Sequence, residues 1–327
     1  MKRRLGRVGV ALMAVVPCAL AVTMPASAAT TVGGIPLGAP FLYGEYAAGN
    51  TSVSGETVDG AAAYGGNATL ATSLVGASPA STVAPGGVTM DLDGNTNSVS
   101  PMTLAHGHGE YVGSFSGNTK AGTFTHVTSL PISFSAADSD LAAASSTIAA
   151  LDVTNLATGT SMLNLASSYP GIDVFRLTER QLSAASNITV HAPQGAVVVV
   201  NVSGAAALSL STQTVTLGGG VTADNVIWNF PWVRSASFSL ETWVGTILQP
   251  FGTLSMRTNT VVGSVLFGGR TAWFFRDWVR LALFRCHWPT GPGDGTPEVP
   301  AALLLPGTAI ALFGGVLLGK RHRRASA

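Results

Sequence analysis

The stretch from Trp243 to Gly269, "WVGTILQPFGTLSMRTNTVVGSVLFGG", decides how the rest of the chain is read. It has one charged residue, Arg257, among many Gly, Thr and Val. Three structures suit that composition: a membrane span, a ligand-cradling glycine loop, or short strands of a β-rich body. Arg257, Asn259 and Gln249 interrupt the apolar run, which argues against a span. No Lys-Ser/Thr follows the glycines, as a phosphate loop requires. Two consecutive strands remain, with turns expected near Gln249–Gly252 and Thr258–Asn259. The glycines then let the backbone turn tightly between stacked layers.

The rest of the 327 residues agrees with a β-rich body outside the cell. Only 10% of residues are charged, well below the usual quarter or so. The N-terminus has a basic "MKRRLGR", an apolar "VGVALMAVVPCALAV" and a small-residue "ASA" ending at Ala28. Residues 1–28 are therefore expected to be a secretory signal peptide. Cys18 falls inside it, and the preceding Pro17 fits a lipoprotein box poorly. Residues 301–319, "AALLLPGTAIALFGGVLLG", form an uncharged run of 19, followed by "KRHRR" at 320–324. That pattern is expected of a transmembrane anchor at 301–319 with a basic cytoplasmic tail at 320–327. The Pro/Gly-rich 289–300 would be an extended linker, and 29–288 the extracellular domain. "LPGTA" at 305–309 departs from a sortase signal at Ala309 and lies inside the apolar run, which favours a retained helix over wall attachment.

Of 17 basic residues, four lie in the leader and four in the tail. Nine remain for the exported part against all 16 acidic ones, a net charge near −7. Net charge thus argues against a nucleic-acid partner. The charge is uneven: residues 234–285 hold six arginines against Glu241 and Asp277. After leader removal Cys286 stands alone, so no internal disulfide is possible and packing must hold the core.

Residues 41–90 alternate small apolar stretches with glycines at 55, 60, 65 and 66, a pattern of very short strands and tight turns. Residues 136–167 are Ala/Leu-rich. Leu141, Ile148 and Leu151 have helical spacing, and Asp138 or Ser139 could cap a helix over about 138–151. From 171 strand signals return. The valines at 197–200 suit a strand buried on both faces, and "LSLSTQTVTL" alternates with period two. A series of short strands divided by polar turns is expected of a β-solenoid, irregular here because no strict repeat is visible. A β-sandwich gives a similar pattern and stays the alternative.

Three blocks carry a family resemblance. They are "FLYGEYAAGNTSVSGETVDGAAAYGGNATL", "IDVFRLTERQLSAASNITVHAPQGAVVVVNVSG" and "NVIWNFPWVRSASFSLETWVGTILQPFGTLSMRTNTVVGSVLFGG". Together they resemble the choice-of-anchor A family of bacterial surface proteins over roughly residues 34–289. The hallmark resides in Asn225, Trp228, Asn229, Phe230, Pro231, Gly245, Pro250 and Gly263. The last block also resembles the ice-binding-like adhesive domain. The resemblance implies a right-handed β-helix with an accompanying helix, presented at the surface by a C-terminal anchor. The segment 270–291, "RTAWFFRDWVRLALFRCHWPTG", departs from the family in being aromatic and arginine-rich. It could cap the β-body, lie near the membrane or bind a partner.

Candidate chemistry is sparse. In "HGHGE", His106 and His108 would share one face of a strand and could bind Zn²⁺ or Cu²⁺, with Glu110 on the same face and His126 nearby. The flanking glycines suggest a turn instead. "DLDGNTN" spaces Asp91, Asp93, Asn95 and Asn97 like half of a Ca²⁺ loop, but the sixth position is Thr96 and the twelfth Met102. A polar turn suits it better. No G-x-S-x-G elbow, P-loop or dinucleotide fingerprint is present. No cofactor or resident metal is expected. The expectation is a secreted, membrane-anchored structural or adhesive protein without catalysis, its surface, matrix or glycan ligand unidentified. Ice or ordered-surface binding is the first alternative, and a surface hydrolase the second.

Overall fold

The computed structural model describes residues 31–32, 35–55, 57–71, 73–77, 87–204, 206–275 and 280–281. The expected leader, linker, membrane anchor and tail lie outside the described residues, as do Cys18, Cys286 and the arginine-rich segment beyond 281. Among the described residues, no helix is long and apolar enough to cross a membrane.

Each coil of the body lays down short strands in succession. Strand Thr246–Gln249 is followed by Thr253–Val262, then by Val265–Phe267, which stacks on the first. The first and third belong to a ten-stranded sheet and the second to a fourteen-stranded one. Every ladder in both sheets is parallel. The fold is therefore β-helix-like. A β-sandwich is built from antiparallel ladders, and the one such ladder among the described residues is the short Thr31–Val32 with Ile35–Pro36 pair.

The coils do not stack in chain order. In the ten-stranded sheet, strands Glu45–Ala47, Ala62–Tyr64, Met90–Leu92, Gly109–Tyr111 and Phe124–His126 step from the middle to one end. Helix α1, Phe134–Ala149, then carries the chain back. Strands Ile172–Thr178, Val197–Ser203, Val226–Asn229, Thr246–Gln249 and Val265–Phe267 step inward from the other end. The two halves meet where Glu45, Tyr46 and Ala47 pair with Val265, Leu266 and Phe267.

Helix α1 explains why this sheet is apolar on both faces. Val198, Val200, Trp228, Ile247 and Val265 point into the solenoid, while Val197, Val199, Ile227, Leu248 and Leu266 pack in a second cluster with Ala137, Leu141, Ala144 and Ile148 of the helix. The four valines are thus buried on both sides, as their unbroken run predicts. Geometry fits the span. From Phe134 to Ile148 the helix rises about 21 Å, close to four strand spacings of about 4.8 Å, the steps that separate Tyr46 from Asn201. The helix begins at Phe134, earlier than the expected 138, and ends at Ala149. Phe134 stacks on Tyr46, 5.7 Å between ring centres, so the apolar stripe starts a full turn before the Ala/Leu run suggests. Ser133, not Asp138 or Ser139, stands at the N-cap.

A second helix, α2 (Glu179–Ala184), follows strand Ile172–Thr178, packs against it and against Val197–Ser203 and Ala207–Ser211, and is absent from the sequence reading. Its signal is "TERQ": the Thr178 hydroxyl accepts from Gln181 N–H, and the Gln181 side chain accepts from Thr178 N–H, a reciprocal capping box. Its one buried side chain, Leu182, joins the core.

The opening stretch is divided differently than expected. The turn at Gln249–Gly252 forms, but Thr258–Asn259 lies within strand Thr253–Val262. The neighbouring strand Ser235–Val244 continues through the same region and holds it extended. The sharp breaks fall at Gly245 and Gly263 instead. Both have left-handed φ values, 107° and 145°. A Cβ on Gly263 would sit 2.4 Å from the Gly245 carbonyl oxygen, and one on Gly245 would sit 2.8 Å from Trp228 Nε1. Only glycine lets these corners stack.

Candidate functional site

The two sheets differ in what they expose. Several strands of the fourteen-stranded sheet alternate, as in Met162–Ala166, Asn187–His191 and Ala207–Ser211, where every second residue is buried. The buried set feeds the core with Leu208, Leu210, Ile188, Val190, Phe238, Leu254 and Met256. One outward row is made mostly of small polar residues. Ser209, Ser237 and Ser255 stand in one register row. Ala272 continues that row, followed by Ser52, Thr69, Asn97 and Ser116. A second region of the same sheet aligns Met162, Asn187, Thr214, Thr242 and Thr260. Beside it Thr189 and Thr216 approach each other, 3.4 Å between hydroxyls. Parallel pairing repeats these groups every ~4.8 Å.

The corners leading onto this sheet are also ordered. Asn50 Oδ1 accepts from Asn67 N–H, Asn67 Oδ1 from Asn95 N–H, and Asn95 Oδ1 from Ser114 N–H, at 3.0, 3.0 and 3.1 Å. This ladder of side-chain amides satisfies backbone donors that the turning chain leaves without a sheet partner.

The hallmark residues are structural. Trp228 and Trp243 fill the core with ring centres 4.7 Å apart, and Trp228 Nε1 donates to the Val244 carbonyl at 2.9 Å. Phe230 packs on Phe238, 5.6 Å between centres. Asn229 faces the helix. Its Nδ2 donates to the Ser145 carbonyl at 2.9 Å and to Asn201 Oδ1 at 2.8 Å, while its Oδ1 accepts from the Ser145 hydroxyl at 2.5 Å. Asn201 Nδ2 in turn donates to the Ile148 carbonyl at 2.9 Å. Pro231 and Pro250 are buried just past strand ends, where no ladder donor is needed. Asn225 closes a short 3-10 turn before strand Val226–Asn229.

The metal candidates do not converge. His106 lies exposed in a bend, its carbonyl accepting from Thr89 Oγ1. His108 Nε2 sits 3.5 Å from Glu110 Oε1. His126 Nε2 lies 3.0 Å from the Val112 carbonyl and edge-on to Tyr111. The strand that would have put both histidines on one face starts only at Gly109. Asp91 lies within strand Met90–Leu92, fully buried, accepting from the Tyr43 hydroxyl at 2.7 Å, whereas Asp93 is exposed at the corner. Asn95 serves the corner ladder and Asn97 the outward row, so these four residues do not form a Ca²⁺ loop. Among the described residues, no group of three His, Cys, Asp or Glu is placed to hold a metal ion.

Asp91 is nonetheless electrostatically unusual. Burial pushes its carboxyl up to about 6, with the Glu110 charge adding to the rise and the Tyr43 hydrogen bond and His108 opposing it. Glu110 is its direct partner in the ladder. Burial, then Asp91, pushes the Tyr43 hydroxyl upward as well.

No curated protein matches the chain significantly. Solved structures similar to it include ice-binding proteins at low identity. One, from an Antarctic biological consortium, is 17% identical, with a TM-score of 0.40, covering 75% of this chain and 90% of its own. Another, from the Antarctic ascomycete Antarctomyces psychrotrophicus, is 15% identical, with a TM-score of 0.42 and coverage of 76% and 98%. The ice-binding protein of Shewanella frigidimarina is 14% identical, with a TM-score of 0.33 and coverage of 75% and 96%. The ice-binding-like adhesive domain model matches residues 36–270, nearly the entire β-body, and the chain belongs to that family.

Proposed function

We propose that this chain is an exported surface protein whose β-body adheres through the outward side of its large sheet, without catalysis. The observation that carries this reading is the register row Ser209, Ser237, Ser255, Ser52, Thr69, Asn97 and Ser116, broken by Ala272. Such a surface offers many weak, evenly spaced hydrogen bonds, and affinity comes from their number. The family's adhesive description supports it. The choice-of-anchor A resemblance, the right-handed winding that the crossover rule favours, and export with a membrane helix at 301–319 complete the proposal. Retention of the purified chain on cells, matrix and glycan arrays tests adhesion; no retention on any of them overturns it. Cell fractionation with intact-mass analysis tests the anchor. A soluble, tail-less product would refute retention in the membrane.

A second reading, ice or ordered-surface binding, draws on the threonine-bearing row Asn187, Thr214, Thr242 and Thr260. A flat hydroxyl lattice could match a crystal plane. Absence of thermal hysteresis and of recrystallisation inhibition would remove it.

A further inference from the structure

The corner after the hallmark strand carries groups that hydroxyl-row adhesion does not use. Trp232 is 60% exposed in the turn following Pro231. Two residues on, exposed Arg234 lays its guanidinium over the Phe251 ring of the next coil, 4.4 Å from the ring centre. The ring face attracts the guanidinium and confines it over Phe251, while N–H donors remain for another partner. From this corner run the outward residues Ser235, Ser237 and Ser239, and on the adjacent strand Thr253, Ser255 and Arg257. Arg270 holds the register position beside Thr253. Between residues 234 and 275 there are three arginines and one acid, Glu241, in an exported part whose net charge is near −7. An exposed indole alone would be ordinary. An indole two residues from a guanidinium held over a ring, with exposed Arg257 farther along the adjacent strand of an acidic body, is complementary to an anion that also has an apolar face.

We infer that this corner binds an acidic polysaccharide. The C–H face of a pyranose stacks on the Trp232 indole. Arg234 and Arg257 pair with the carboxylates or sulfates of the polymer, a bidentate geometry that suits guanidinium better than any other side chain. The serine and threonine rows meet the sugar hydroxyls. The proposal rests on the adhesive reading and names its ligand class.

The test measures binding of the purified full-length chain to polygalacturonate, to a sulfated glycan, to neutral dextran and to phosphatidylserine vesicles. The first two arms separate carboxylate from sulfate as the recognised anion. Trp232→Ala and Arg234→Gln are each expected to weaken binding to the acidic glycan about tenfold, the loss of one stacking or paired contact. Raising salt to about 0.5 M should release it, because the Debye length then falls below the range of surface pairing. Both side chains are exposed, so circular dichroism should be unchanged. Dextran binding as tight as polygalacturonate overturns the proposal, as does vesicle binding with the same sensitivity to Trp232→Ala. Unaltered glycan binding by both variants overturns it too. Wild-type retention on cells without any acidic-glycan binding sinks this proposal alone, whereas no retention on cells sinks the adhesive reading beneath it.

Discussion

Replacing Asn229 by alanine should loosen helix α1 from the sheet it covers. Asn229, Ser145 and Asn201 are buried, with 0%, 1% and 3% exposure, so water cannot replace what the amide provides. The substitution deletes three hydrogen bonds. At about 1 kcal/mol each they account for about 3 kcal/mol. The Asn201 carbonyl oxygen is also left without this donor, and an orphaned buried acceptor adds about 1–2 kcal/mol. The Ser145 hydroxyl can turn to a carbonyl one helical turn back, which limits the total to about 4 kcal/mol. Urea unfolding of Asn229→Ala, Ser145→Ala and the double variant would measure it. Ser145→Ala removes only the hydroxyl bond and should cost about 1–2 kcal/mol. The double variant should fall short of additivity by about 1 kcal/mol, as groups in one network do. A loss below about 1 kcal/mol for Asn229→Ala, or full additivity with Ser145→Ala, would refute the claim that this amide rivets helix to sheet.

Gly263→Ala should cost about 3 kcal/mol or more, because a Cβ 2.4 Å from the Gly245 carbonyl oxygen adds a backbone clash to a left-handed φ; thermal melting equal to wild type would contradict the stacked-corner account. Thr212 is the one non-glycine residue with positive φ among those described, at 66°. Thr212→Gly is expected to raise stability by about 1 kcal/mol, by relieving strain on a β-branched residue, and a lower denaturation midpoint would show that its side chain matters more. Leu141→Ala should cost about 2–5 kcal/mol, since the side chain is fully buried between helix and sheet; less than that would mean that the helix packs loosely. Asp91 gives a pH dependence. Its folded value, about 6, lies above the ordinary 3.8. The folded state therefore binds this proton more tightly than the unfolded chain. The resulting stability is complete below about pH 4 and fades as pH rises through about 6, by about 3 kcal/mol in all. Burial raises Asp138 and Asp173 in the same sense, so Asp91→Asn should flatten part of the slope between pH 4 and 7. An unchanged slope would refute the assignment.

Much of the fold is legible in local chemistry. Period-two alternation in "LSLSTQTVTL" gives the strands of a sheet with one wet face. The unbroken valines at 197–200 announce a second covering layer, which α1 supplies. Glycine and asparagine mark the corners. The order of the coils is not legible, because it depends on where α1 returns the chain, and that is set by Phe134 on Tyr46 and Asn229 on Ser145, contacts between residues 84 or more apart in sequence. The hallmark residues stand out as motifs, yet their work is packing, so they locate the core and not the ligand. Trp232 and Arg234 lie inside the same "NFPWVR" run. Their exposure follows from the turn after Pro231, and only the stacked coil places Phe251 beneath the guanidinium.

The meeting of the two halves at Glu45–Ala47 and Val265–Phe267 also governs how the protein is made. The ribosome delivers the central strand early and its neighbour more than two hundred residues later. Until then both halves are separate short coil stacks, each with an open parallel edge of the kind that recruits foreign strands. The coil that carries Val265–Phe267 thus acts as a closure for the middle of the stack. Any early stop before residue 265 leaves the breach at the waist of the molecule, where no terminal cap can cover it.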